Sequence, residues 1–454
     1  MAAFNLAFRI GNELVQDWDE SLFAITADEM VASGDWIRTT FLGSLDYYNS
    51  KPPLHMWLVA LAFKAFGPGL VTLRLPTMIA AWLTVALLMW WAARAFGHTL
   101  AVVAGLVLAT CYGFLYVHSG RSGNSDALLT LLVLLTVVTL WASRDHPWRR
   151  VWLGVIVGLV FMIKGTGIVM PSLIIAGTEL GGRWRGRLRW LPLVAAAGVF
   201  VLVVTPWTVA RWRLDGWLFF DAMFFHDFAE RVTMVLDGHE GAAYYYLYFL
   251  QKHHYDWLLA AAVALACLPA PWTRLRALVA GPDRFLAVLM ASWFAGTFVL
   301  PSSVATKLGW YLNSFYPLFA LAVAWVIVEA WQATAARPRR TALVAASFVV
   351  ALGVAEGKLA WHSYRLLDLG RSAQSLILAH GPEIASRRVY AREWRHSDRF
   401  VVRTVGGRCV KVPDEDAFLR DSRADDLWLG APGLDARLVP VATTGRQTLY
   451  RRAN

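Results

Sequence analysis

Ten apolar runs, recurring at roughly 72 to 93, 99 to 117, 127 to 142, 151 to 163, 166 to 179, 191 to 207, 257 to 272, 285 to 300, 311 to 331 and 341 to 356, leave this chain few ways to fold. A crossing helix needs about 20 apolar residues, with a range of about 17 to 25. Runs of this length, repeated this often, specify an all-α polytopic membrane protein. With 57% of residues hydrophobic and only 17% charged, the composition is far from that of a water-soluble domain. The runs at 151 to 163 and 166 to 179 are short, and they read as a hairpin of two tilted spans with Lys164 at its tip.

The net charge of +11 follows topology rather than nucleic-acid binding, because the basic residues fall between apolar runs and not on one face. Arg94, then Arg144, Arg149 and Arg150, then Arg183, Arg185, Arg187 and Arg189, then Arg274 and Arg276, and finally Arg337, Arg339 and Arg340 occupy every second loop. Those loops are cytoplasmic by the positive-inside rule. Segments 16 to 54, 118 to 126, the region of Lys164, 208 to 255, 301 to 310 and everything after 357 then share the outer side. The alternation closes only if 53 to 66 forms a short Trp-containing helix at the outer surface instead of crossing. Residues 1 to 15 are too short and too polar to span.

Three units result: residues 1–71 as an outer loop with surface helices, 72–357 as the transmembrane part with an aromatic outer loop at 208–256, and 358–454 as a small soluble outer domain. In that last unit RVYARE, RFVVRT, LWLG and RLVPVATT read as short strands, making it a small α/β domain. Its entry, roughly 361 to 380, reads as a helix stopped by Gly381 and Pro382. Cys111 and Cys267 lie in apolar runs and Cys409 has no neighbouring cysteine, so neither a disulfide nor a cysteine metal site is expected.

The stretch Gln16 to Leu54 concentrates the acids, beside aromatics and one lysine. Asp17, Trp18 and Asp19 form a D-x-D, a pattern of hard oxygen ligands that suits a divalent metal beside a diphosphate. Nucleotide sugars are cytoplasmic, whereas this loop is on the outer side, so a lipid-linked sugar monophosphate is the donor chemistry available there. One carboxylate acting as general base then suffices. Asp19 and Glu20 are candidates for that role, weighed against a solvated or structural one. Asp126 opens a span and emerges on the same side; its bland reading is a favourable acid in the first turn of a helix. Lys51, Lys164 and Lys307 each stand beside apolar sequence on the outer side, with Arg121 as a fourth cation, and as a set they suit a phosphate group. Singly, each lysine reads as snorkelling to the interface. His226, His253 and His254 are candidate ligands or acid–base groups, set against solvated interfacial histidines, and Asp19 with His226 is a further candidate metal pair.

The pattern DE near the start, then ASGDW, KPPLHMWLVALAFKAFG and RLP at 74 to 76 resembles the multi-spanning glycosyltransferases of the GT-C superfamily. The nearest likeness is to the lipid A aminoarabinose transferases and the protein mannosyltransferase-like enzymes. It continues through RSGNSDALL, FMIKGTG, TPWTVAR, FFHDFAERV and SVATKLGWYLNSFYP, covering most of residues 17 to 332. The resemblance implies a multi-pass bacterial inner-membrane enzyme with an extracytoplasmic active site. It also implies a polyprenyl-phosphate sugar donor, inverting transfer, and a glycan, lipid or protein acceptor, with membrane lipids around it and no nucleic acid. By motif, Asp19 matches the first-loop catalytic acid, Asp126 the second acidic position, and Tyr48 and Lys51 the donor-phosphate region, followed by Lys164 and Lys307. No cofactor is required by this chemistry, a divalent metal being optional. Two departures stand out: Ser50 replaces the family's frequent Glu before KPPL, and a first transmembrane helix implied by the family is not found in residues 1 to 15. Two rival readings from other classes are a lipid or solute transporter, for which mid-span charges and an inverted repeat would be expected, and a non-catalytic scaffold whose soluble tail binds a partner.

Overall fold

The computed structural model describes residues 1–182, 190–225, 234, 238–270, 284–365, 372–433 and 436–453. His226 and the inner-loop arginines Arg183, Arg185, Arg187, Arg189, Arg274 and Arg276 lie outside the described residues, as does part of the expected helix at 361 to 380. Among the described residues, five helices are long and apolar enough to cross a membrane: Leu70–Ala95, Trp190–Asp215, Arg284–Ser303, Gly309–Ala333 and Pro338–Tyr364. The bundle is completed by shorter apolar helices, notably His98–Ala109 and Asp126–Ala142.

One of the expected spans is built differently, while the expected hairpin forms with Lys164 at its tip. The run at 99 to 117 breaks at Thr110 into His98–Ala109 and a short helix Tyr112–Tyr116, with Cys111 between them. The pair at 151 to 179 is a hairpin of helices Val151–Ile163 and Val169–Gly182, joined through Lys164 and a 3₁₀ turn at Gly165–Ile168. The aromatic outer segment at 208 to 256, whose tryptophans and tyrosines read as helices lying on the outer surface, is helical over most of its described residues, as extensions of the flanking spans. Trp190–Asp215 extends beyond the expected end at 207, and Tyr245–Cys267 begins before the expected start, kinked at His254. Aromatic and charged residues hid these helix ends because a membrane helix has no need to stop where its apolar stretch stops.

Helix Leu54–Phe66 forms as expected and ends at Gly67, whose φ of 81° allows its N–H to reach Phe63 O. With helix Asp19–Ser33 it makes a two-helix platform, and the platform carries the C-terminal domain. Phe23, Met30, Met56, Val59 and Phe63 share one core with Leu376, Val389, Phe400, Val401, Leu427 and Leu449. Phe63 stacks on Phe400 at 5.8 Å, Gln374 exchanges two hydrogen bonds with the backbone of Val15, and Arg403 pairs with Asp28 at 2.9 Å.

The C-terminal domain holds a mixed five-stranded sheet in the spatial order Arg408–Lys411, Arg388–Ala391, Leu427–Gly430, Gln447–Arg452, Leu438–Thr444. The first three strands are parallel and the last two join antiparallel. RFVVRT is not a strand. It lies in helix His396–Thr404, whose Phe400, Val401 and Val402 are buried. Contact with the platform overrides the β preference of its paired valines. Ser372 caps helix Ala373–Ala379 with a reciprocal Ser375 capping box, and Gly381 and Pro382 end that helix while opening the next short turn.

One buried ion pair ties these parts together. Glu20, fully buried, accepts hydrogen bonds from Arg74 Nε at 2.8 Å, from Gly123 N at 2.7 Å and from Gln16 N at 2.8 Å. Arg74, also buried, donates in addition to the carbonyls of Ile10, Glu13 and Leu14. Arg121 does the same for the residues before them, pairing with Glu13 and donating to the carbonyls of Asn5, Leu6 and Phe8. Removing one member of such a pair strands a buried charge and costs about 3–5 kcal/mol. Glu20→Ala is therefore expected to lower the thermal unfolding midpoint of the detergent-solubilised protein sharply, with Arg74 left unpaired. An unchanged midpoint would show that the pair is not structural.

Candidate functional site

Asp19 is the first residue of helix Asp19–Ser33, and the residue before it decides where its side chain goes. Trp18 has φ 67° and ψ −115°, outside the regions favoured by residues with a Cβ. The two acids of the D-x-D consequently part company. Asp17 turns to the C-terminal domain, where its Oδ1 accepts from Ser397 N at 3.1 Å and Ser397 Oγ at 2.7 Å. Asp19 turns to Lys51, whose Nζ lies 3.3 Å from its Oδ1. Lys51 is aimed by the Pro52 and Pro53 pair, which fixes the backbone ahead of helix Leu54–Phe66. Its ammonium also lies 5.2 Å from the centre of the Phe23 ring.

A second lysine–aspartate pair faces the same space. Asp126 opens helix Asp126–Ala142, and Lys164 occupies the extended break between two helices of the hairpin, with Nζ 3.5 Å from Asp126 Oδ1. The same ammonium sits 5.6 Å from the centre of the Tyr311 ring. Both pairs line one cavity of about 580 Å³, together with Asp17, Trp18, Tyr48, His118, His239 and Trp310. Leu129, Val169, Met170, Leu300, Pro301 and Val304 give the remainder of its wall an apolar character. The cavity is amphipathic, with cations and carboxylates in one part and a hydrocarbon lining in another.

Not every sequence candidate reaches it. Tyr48 does, as a largely exposed ring. Glu20 and Arg121 are buried in the ion pairs that hold the N-terminal segment. Lys307 donates to the carbonyls of Pro301, Ser302 and Val304, fastening the turn whose other residues line the cavity. Ser50 is buried. Three lining residues, His118, His239 and Trp310, gave no chemical signal in the sequence, because a single aromatic or histidine in a loop has no motif until the fold supplies its neighbours. Among the described residues no group of three or more His, Cys, Asp or Glu side chains is arranged to hold a metal ion, and the two acids of the D-x-D have different partners, Ser397 for Asp17 and Lys51 for Asp19.

The charges tune one another. Lys51 holds the Asp19 carboxyl below its ordinary value against the opposing effect of burial, with smaller contributions from His118 and Lys164. Burial pushes the His118 imidazole below its ordinary value, and Asp126 and Asp19 oppose that shift. Next to the site, Asp398 is pushed up to about 6 by burial and by the Asp17 charge. For Asp19 the sign of the linkage is fixed: a depressed carboxyl stabilises the fold above its unfolded value, and the benefit disappears as pH falls through the folded one. The melting-temperature difference between wild type and Lys51→Met is therefore expected to hold at neutral pH and to vanish as pH falls below the ordinary aspartate range of about 4. A difference that persists unchanged far below that range would exclude the ion pair as its source.

Residues 50–209 match the family described as dolichyl-phosphate-mannose-protein mannosyltransferase. The chain is 31% identical over 261 residues to the undecaprenyl phosphate-alpha-4-amino-4-deoxy-L-arabinose arabinosyl transferase of Pseudomonas savastanoi pv. phaseolicola, covering 54% of this chain and 47% of that one. Identity to the Pseudomonas aeruginosa protein of the same name is also 31% over 261 residues, with 55% and 44% covered. The match thus spans about half the length of these relatives. Among solved structures, ArnT from Cupriavidus metallidurans bound to undecaprenyl phosphate superposes with a TM-score of 0.74 at 18% identity, covering 99% of this chain and 96% of that one. The Archaeoglobus fulgidus oligosaccharyltransferase follows at 0.54 and 11% identity, covering 90% of this chain and 62% of that one. This multi-pass membrane chain has the fold of ArnT and resembles the polyprenyl-phosphate-sugar-dependent glycosyltransferases of the GT-C superfamily.

Proposed function

We propose that the protein is a membrane glycosyltransferase that moves one sugar from a polyprenyl phosphate to an extracytoplasmic acceptor with inversion. The observation that carries this reading is the cavity itself: two lysine–aspartate pairs at its polar part and a hydrocarbon wall beside them. An isoprenoid chain suits the apolar wall, and a phosphate monoanion suits the ammonium groups of Lys51 and Lys164. The donor named for the Pseudomonas relatives and the undecaprenyl phosphate bound in the ArnT structure have this chemistry.

In the proposed reaction the acceptor hydroxyl attacks the anomeric carbon from the side opposite the phosphate. Asp19 takes the hydroxyl proton as the new C–O bond forms, which a carboxylate held in its ionised form can do. The bond between the anomeric carbon and the phosphate oxygen breaks, and its electron pair leaves on the phosphate, where Lys51 and Lys164 stabilise the growing charge. Asp126 keeps Lys164 directed at that point. No step calls on a metal ion. The acceptor class stays as broad as the site allows: lipid A, another envelope glycan, a lipid or a protein.

The reading also fixes a topology, with residues 1–71 as the catalytic loop and its surface helices, 72–357 as the membrane part and 358–454 as the outer domain. The active site faces the outer side of a bacterial inner membrane, where lipid-linked sugars are the available donors.

Mass spectrometry of envelope lipids, glycans and glycoproteins tests the proposal without choosing an acceptor. Wild-type cells are compared with a deletion strain and with Asp19→Ala. Loss of one defined sugar in both mutants, with its polyprenyl-phosphate donor accumulating, is the expected result, and the residual rate of Asp19→Ala should be about 10²–10⁴-fold lower. Normal glycoforms in Asp19→Ala, with folded protein present, would remove Asp19 as the base. Chelation with EDTA is expected to leave the rate of the purified protein unchanged, whereas a loss restored by a divalent cation would put a metal into the mechanism.

A further inference from the structure

One feature of the cavity wall has no part in holding phosphate or moving a proton. His118 lies flat on Trp310, ring centres 3.8 Å apart and planes 12° apart, and both rings line the cavity. His118 is held there at φ 52°, in the left-handed region that residues with a Cβ rarely adopt. The loop around it is pinned on both sides. Asn313 Nδ2 donates to Val117 O at 2.9 Å, Gly120 N to Phe114 O and Arg121 N to Leu115 O. Trp310 comes from the 3₁₀ helix Gly309–Phe315, which also supplies Asn313. Strain of this kind persists only where the surrounding structure over-determines it, and it gathers at functional sites.

We infer that the His118–Trp310 stack is the sugar subsite of the donor, and that these two residues position the transferred ring between Asp19 and the lysines. The inference rests on the proposed glycosyltransferase reading. A pyranose offers C–H faces that pack on a flat aromatic wall and hydroxyls that need polar partners. The stack presents such a wall, and His118 Nδ1 is buried without a hydrogen-bond partner among the described residues. An unpaired buried ring nitrogen gains a full hydrogen bond when a sugar hydroxyl reaches it. Burial keeps the imidazole in its neutral form, so one ring nitrogen is an acceptor and the other a donor. Geometry also fits the donor's connectivity: the sugar is bonded directly to the phosphate, and the stack shares one cavity with Lys51, Lys164 and Asp19. His118 and Trp310 are thus positioning residues that discriminate a glycosylated lipid phosphate from a bare one.

Equilibrium binding to the full chain in nanodiscs tests this directly. The probes are undecaprenyl phosphate alone and undecaprenyl phosphate carrying mannose, glucose or 4-amino-4-deoxy-L-arabinose. Wild type is expected to bind at least one glycosylated probe more tightly than the bare lipid phosphate. Trp310→Ala should cut that advantage about three- to tenfold, the usual weight of one aromatic contact, while binding bare undecaprenyl phosphate as wild type does. His118→Asn, which tolerates the left-handed backbone, should lose the same advantage, and Trp310→Phe should recover part of it. If wild type binds bare and glycosylated probes equally, or if both variants keep the sugar advantage intact, the subsite assignment is overturned. Lys51→Ala separates the two levels. Its weakening of bare undecaprenyl phosphate binding supports the glycosyltransferase reading whatever the sugar contributes, and failure of wild type to bind any of the four probes would overturn that reading and the subsite together.

Discussion

The Glu20–Arg74 pair is the interaction on which the rest of the structure depends. It sits at the meeting point of helix Asp19–Ser33, helix Leu70–Ala95, the loop at Gly123 and the N-terminal segment, and it is closed to water on all sides. Burying two charges is costly unless their hydrogen-bond capacity is filled, and here Arg74 donates to three backbone carbonyls as well as to Glu20. The neighbouring Gly123 admits this approach because a Cβ there would lie 2.7 Å from Leu73 and 3.2 Å from Glu20. With Glu20 locked, the start of the helix is locked, and Asp19 one residue earlier is presented to the cavity.

The site gathers groups from four separated parts of the chain. Lys51 arrives on a proline-stiffened approach, Asp126 at a helix start, Lys164 at a hairpin break, and His118 with Trp310 from two loops tied by Asn313. Each cation already has a carboxylate partner. In the proposed reaction an entering phosphate exchanges with carboxylates already paired to those ammonium groups. The C-terminal domain has a share in this arrangement through Asp17, which turns from Asp19 to hold the start of helix His396–Thr404. Asp398 beside it is raised chiefly by burial and then by the Asp17 charge.

Much of the architecture was legible before any coordinates. Ten apolar runs and arginines in alternate loops specified a polytopic helical protein, since the bilayer permits little else for such a chain. The strands at RVYARE, LWLG and RLVPVATT were legible from their β-branched and aromatic residues. RFVVRT was not, because its helix is decided by packing on the 19–33 and 54–66 platform. The ends of Trp190–Asp215 and Tyr245–Cys267 were likewise hidden, as their aromatic and charged flanks read as part of the outer surface.

Within the site, the sequence by itself determined the kind of residues available: acids and lysines at the ends of apolar spans. The partition among those residues was decided by tertiary structure alone. Asp19 and Glu20 are adjacent and chemically alike, yet successive residues of a helix start point about 100° apart, which sends one to the cavity and the other to Arg74. Arg121 and Lys307 are cations with the same credentials as Lys51 and Lys164, but backbone carbonyls claim them first. His118 and Trp310, 192 positions apart in the chain, meet only because two loops close on each other, and no local pattern encodes a contact of that range.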